Sequence, residues 1–130
     1  MNAIKVTTDD VISVVEIGNP KLKCLQTEVG GHIEVVRPQG LRNPQVMIVD
    51  EEGLLKSKEP NFIGCLLYKT QQHGHPIVGD ILIMLEQPGP DGYDLFGLPH
   101  NTVIELTAYF RKLLEVRDNF LATRSEEGSG

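Results

Sequence analysis

The run Ile77-Val78-Gly79-Asp80-Ile81-Leu82-Ile83-Met84-Leu85 constrains the fold more than any other part of the chain. Successive side chains of a strand point to opposite faces, so Ile81, Ile83 and Leu85 share one side of a sheet and Leu82 and Met84 the other. Both sides are apolar and both must be covered, which places this strand in the middle of a sheet with packed layers on each face.

The rest of the chain supplies that sheet and its cover. Residues 3–7 and 11–17, with Ile4 and Val6 in the first and Val11, Ile12, Val14, Val15 and Ile17 in the second, flank Thr8-Asp9-Asp10 and read as a β-hairpin. Asn19-Pro20 opens a predicted helix over 20–29, with Asn19 as cap and Pro20 in the first helical position, and Leu22, Leu25 and Val29 on one face. Gly30 ends it in the left-handed conformation, and Gly31 frees the chain to turn into a strand over 32–37. There Ile33 and Val35 share one face and His32, Glu34 and Val36 the other. Residues 38–44 are a loop, 45–49 a strand, and Asp50-Glu51-Glu52-Gly53 a solvated acidic turn whose consecutive carboxylates point to different sides. Pro60-Asn61 predicts a second helix running toward Gln72, ended by Gly74 and Pro76.

Residues 87–100 form a Pro- and Gly-rich excursion that holds Tyr93, Leu95, Phe96 and Leu98, so it is docked as a lid, a pocket wall or a subunit contact. Thr102 and Glu105 have the spacing of a capping box at the start of the last helix. On that helix Val103, Leu106, Tyr109, Phe110, Leu113, Leu114, Val116, Phe120 and Leu121 spread over more than half the circumference. A sheet face buries only a stripe, so a second surface, most simply a partner subunit, is expected against it. The fold class is α+β: a small, mostly antiparallel sheet with two short helices and a longer C-terminal amphipathic helix. Residues 1–124 read as one domain and 125–130 as a disordered tail.

Twelve Lys and Arg against 18 Asp and Glu leave a formal net charge of −6, which argues against a partner bound through many phosphates, as nucleic acid polymers are. No run of about 18 apolar residues suggests a membrane span, and no basic-then-apolar start suggests a signal peptide, so the expected address is cytoplasmic. Cys24 and Cys65 read as reduced core thiols. His73-Gly74-His75 lacks a third ligand, so no metal or other cofactor is expected. No nucleophile with its base, metal cluster or phosphate loop with its lysine stands out, and the chain reads as a non-enzyme.

A single small anion remains open to it. Arg117, Arg111 and Arg42 are candidates to hold phosphate, and Tyr93, Phe96 and Tyr109 to stack on a base. Gly30 and Gly31, beside His32, offer a second place where backbone N–H groups could meet an anion, although a helix stop followed by a turn is the better account of the pair, which lacks the strand-then-helix order of a nucleotide-binding glycine loop. For Arg117 the alternative is a structural role, its stem on apolar surface and its charge met by water or a carboxylate.

The segments Leu25-Gln26, Val29-Gly30-Gly31-His32-Ile33-Glu34-Val35-Val36, Val49-Asp50-Glu51-Glu52-Gly53-Leu54, Pro60-Asn61 and Ile77-Val78-Gly79-Asp80 occur in an order that resembles the family known as domain of unknown function 3846. The resemblance covers roughly residues 1–85, with 86–124 as an extension. It implies a setting in bacteriophages or mobile elements and offers no catalytic residues to carry over. In that setting the expectation is a counter-defence accessory that sequesters a small nucleotide-type host immune signal in a pocket between subunits of a homo-oligomer. The alternatives are an acidic inhibitor that binds a host defence protein directly and a structural module of a phage particle.

Overall fold

The computed structural model describes residues 1–129, with side chains described through Arg124; the tail expected over 125–130 lies outside those side chains. Along the chain run β1 (Asn2–Val6), β2 (Ile12–Glu16), α1 (Lys21–Val29), β3 (Ile33–Val36), β4 (Gln45–Asp50), α2 (Phe62–Tyr68), α3 (Thr70–His73), β5 (Ile81–Gly89), β6 (Gly92–Phe96) and α4 (His100–Ser129). The strands form one antiparallel sheet in the order β2-β1-β5-β4-β3. β6 pairs with β5 beyond β1, along the same edge. The apolar run is thus central, as its two-sided pattern requires: Ile81 through Met84 are fully buried.

Each face has its own core. Ile4, Val6, Met47, Val49, Ile81 and Ile83 pack beneath Ile63 and Leu67 of α2 and Leu106 and Phe110 of α4. On the opposite face Ala3, Val46, Ile48, Leu82 and Met84 pack beneath Leu25 and Val29 of α1. α1 covers one side and α2 and α4 share the second, so the sheet is sandwiched between helical layers.

Four local expectations are corrected. Pro20, in extended conformation at φ −69° and ψ 135°, takes the cap position of α1, with no side-chain cap bond, so Asn19 does not cap it. The helix expected to reach Gln72 breaks at Lys69, whose φ of 59° closes α2 before α3 begins. The 87–100 excursion is largely a hairpin: β5 runs on to Gly89 and β6 returns, with Pro88 opposite Tyr93. β4 pairs with β5 only as far as Leu85, so Pro88 falls where the strand is at an edge and is tolerated there, while Pro90 lies in the turn. Finally, α4 starts at His100 with Val103 N–H donating to Pro99 O, which leaves Thr102 inside the helix rather than capping it.

Asn61 does cap α2. Its Oδ1 accepts from Gly64 N–H at 3.0 Å while its Nδ2 donates to Val6 O and Gly79 O, each at 3.0 Å. The residue is fully buried, so one amide joins the start of α2 to the end of β1 and to the approach to β5.

Candidate functional site

The acidic turn is only partly solvated. Glu51 and Glu52 are exposed, but Asp50 is 4% exposed and its carboxylate lies against the C-terminal end of α1. Lys56 Nζ and Lys58 Nζ stand 2.8 and 2.7 Å from Oδ2, and Glu52 N–H donates to Oδ1 at 2.9 Å. The same ammonium groups donate to helix-end carbonyls, Lys56 to Gly30 O at 3.1 Å and Lys58 to Val29 O at 2.8 Å. Burial by itself pushes the Asp50 carboxyl up; the hydrogen bonds from Lys56, Lys58 and Glu52 N–H outweigh it and hold the group at about 2. The sequence reading missed this clamp, although two lysines spaced two apart beyond an acidic turn were a visible signal.

The clamp accounts for Gly30-Gly31. Gly30 has φ 83°, and both its N–H and that of Gly31 donate to Gln26 O, at 2.8 and 3.0 Å. Those two donors are occupied within the helix end, so the pair is a stop and turn and not an anion cradle. Gly31 is also where the chain passes close to Asp50 and Lys56: a Cβ there would meet Lys56 Nζ at 2.5 Å and Asp50 Oδ1 at 2.6 Å. His32 is exposed, and its carbonyl accepts from Glu51 N–H.

Of the arginines, Arg117 finds its anion inside the chain. It donates to Asp10 Oδ2 at 2.9 Å and to Asp118 Oδ1, and its guanidinium lies 4.6 Å from the centre of the Phe62 ring. The hydrogen bond to Asp10 raises its pKa further. It therefore fastens α4 to the β1–β2 turn and to α2. Arg111 is exposed on α4 away from the described clefts. Arg42 is exposed in the loop before β4 and makes no ion pair among the described residues.

The aromatics also separate. Phe96 is half-buried with Lys21 Nζ 5.6 Å from its ring centre, and Tyr93 projects from β6 at 75% exposure. Tyr109 is the one that meets a candidate arginine in a concave site. A cleft of about 430 Å³ is lined by Gly40, Arg42, Gln45, Glu105, Leu106 and Tyr109.

Tyr109 also begins an exposed stripe on α4. Tyr109, Val116 and Phe120 are between 46% and 58% exposed, while Phe110 is fully buried. Tyr109, Leu113, Val116 and Phe120 are spaced four, three and four apart, which aligns them along one side of the helix about 90° from the side that Phe110 presents to the sheet.

A family model described as Domain of unknown function (DUF3846) matches residues 1–113. The match extends past the 1–85 stretch of the resemblance and takes in β6 and the first half of α4. No curated protein and no solved structure matches the chain. None of the helices among the described residues is long and apolar enough to cross a membrane.

Proposed function

The chain belongs to the DUF3846 family, whose description names no activity, and from its own geometry we propose that it is a non-enzymatic binder of a small anionic ligand of nucleotide type. The observation that carries this reading is the meeting of Arg42 and Tyr109 in one cleft from segments distant in sequence. A guanidinium without a carboxylate partner suits a phosphate group, and a half-exposed phenol ring suits a base. Glu105 on the same wall can accept from a sugar hydroxyl. The volume of about 430 Å³ falls within the usual range for small-molecule sites.

Tyr109 belongs both to this cleft and to the apolar stripe of α4. A second copy laid on the stripe would wall the cleft on its open side, so the pocket is completed between subunits of a homo-oligomer. The phage or mobile-element setting implied by the resemblance makes a host immune signal, held and not altered, the ligand class to try first.

Calorimetric titration with cyclic nucleotides and cyclic ADP-ribose isomers tests the reading. Arg42→Ala and Tyr109→Ala should each weaken the responding ligand by about tenfold or more, while Arg117→Ala leaves its affinity unchanged. Absence of heat with every member of the panel, from folded protein, would overturn the proposal. A stable monomer in light scattering at micromolar concentration would overturn its shared-pocket part.

A further inference from the structure

β3 is the last strand of the sheet, paired with β4 alone among the described residues. Glu51 N–H donates to His32 O, and antiparallel ladders alternate, so the ladder bonds continue at Glu34 and Val36. The N–H and C=O groups of Ile33 and Val35 then point away from the sheet. A row of such groups is a template for one more strand.

Beside this edge, on the face that also carries α2 and α4, lies a cleft of about 490 Å³. Val36, Val49, Leu54 and Tyr68 are among its apolar and aromatic lining, and Glu34 and Glu51 bring carboxylates to it. With Glu34 opposite Val49, Glu34 and Glu51 are diagonal neighbours on one face, their Cα atoms about 7–8 Å apart. Both are exposed, and neither makes an ion pair among the described residues. Asp50 adds no charge here, because its carboxylate turns to the opposite face and is answered by Lys56 and Lys58. Arg37, also on the cleft, is already paired: its Nε and Nη2 each donate to Glu86 at 2.6 Å, so its charge is met by that carboxylate.

We infer that the free edge of β3 and the acidic cleft beside it form a docking site for an extended basic segment of a partner protein, which adds as a strand to β3 and seats a lysine or arginine between Glu34 and Glu51. The backbone edge supplies attachment and the paired carboxylates supply selectivity. A second copy of this chain is disfavoured as the occupant, since its β3 would bring another Glu34 to a place that already holds two negative charges. In an added strand, alternate residues face the cleft and the others continue the apolar side begun by Ile33 and Val35, so the fitting segment alternates basic and β-branched residues. This site shares no residue with the Arg42–Tyr109 cleft and stands or falls independently of it.

The test uses the full chain and three labelled peptides in fluorescence anisotropy: Thr-Val-Lys-Val-Arg-Val-Thr, the same peptide N-methylated at alternate residues on its pairing edge, and a version with glutamate at both basic positions. The basic peptide should saturate, and the N-methylated and acidic ones should bind about tenfold more weakly or not at all. Glu34→Gln with Glu51→Gln, both at exposed positions and checked for folding by circular dichroism, should weaken the basic peptide by about tenfold or more. Hydrogen exchange at the amides of Ile33 and Val35 should slow when it binds. Failure of the basic peptide to saturate at millimolar concentration overturns the inference. So does equal binding of the N-methylated peptide, or full affinity in the double variant, either of which reduces the interaction to unspecific charge attraction.

Discussion

Asp50→Asn isolates the buried clamp. The substitution keeps the shape of the side chain and removes the charge that Lys56 and Lys58 meet at 2.8 and 2.7 Å. A carboxyl held at about 2 against an ordinary 3.8 contributes about 2 kcal/mol of stability at neutral pH. The Asp50 side chain is 0% exposed, so little water screens it, but Lys56 is 39% and Lys58 24% exposed and both can recover solvation once their partner is neutral. The expected loss is therefore about 1–2 kcal/mol, seen in urea unfolding at pH 7 as a midpoint lowered by about 1 M with the slope unchanged. The sign of the pH dependence follows from a folded-state value below the unfolded one. The contribution is complete above about pH 5 and fades as pH falls through the unfolded value toward about 2. The advantage of the native chain over Asp50→Asn should accordingly narrow by about 1 kcal/mol between pH 6 and pH 3. A variant within about 0.5 kcal/mol of the native chain at pH 7, or a gap that stays constant with pH, would refute the reasoning.

Two further substitutions probe neighbouring joints. Asn61→Ala removes a fully buried amide that makes three hydrogen bonds and leaves Val6 O, Gly79 O and Gly64 N–H without that partner. Its cost should be about 2–4 kcal/mol in chemical denaturation, and a loss below about 1 kcal/mol would mean that water replaces the side chain there. Gly31→Ala places a methyl group 2.6 Å from Asp50 Oδ1, which cannot retreat without leaving the lysines. A loss of about 1–3 kcal/mol by thermal melting is expected, and an unchanged melting temperature would show that the turn has slack.

What could be read from the sequence was what short-range physics decides. The two-sided apolar run of β5 announced a central strand, Gly30 announced the end of α1, and Asn61 announced the start of α2, because period, left-handed closure and capping each act over a few residues. β6 was hidden because Pro88, Gly89, Pro90 and Gly92 have the composition of a loop; Pro90 is indeed in the turn, and only an edge position lets β5 keep Pro88. The break at Lys69 was equally opaque, since nothing local favours a left-handed lysine. At the sites, the alternation of Asp50 and Glu51 was legible but the burial of Asp50 was not, for it depends on a turn returning two lysines to the end of α1. Arg42 and Tyr109 could each be singled out, whereas their shared cleft is a product of α4 lying across the sheet. Asp10 and Arg117 are 107 positions apart, too far for any local pattern to have joined them.

Asp50 also locks how β3 and β4 align. Strands that slide by one residue exchange their two faces. Were β4 to slide so that Glu51 or Val49 stood where Asp50 stands, a longer acid or a bare hydrocarbon would confront two ammonium groups shaped around a short carboxylate. Misaligned pairings of this hairpin are thereby penalised at a single position, and the outward placement of Glu34 and Glu51 is guaranteed by a residue that faces the other way.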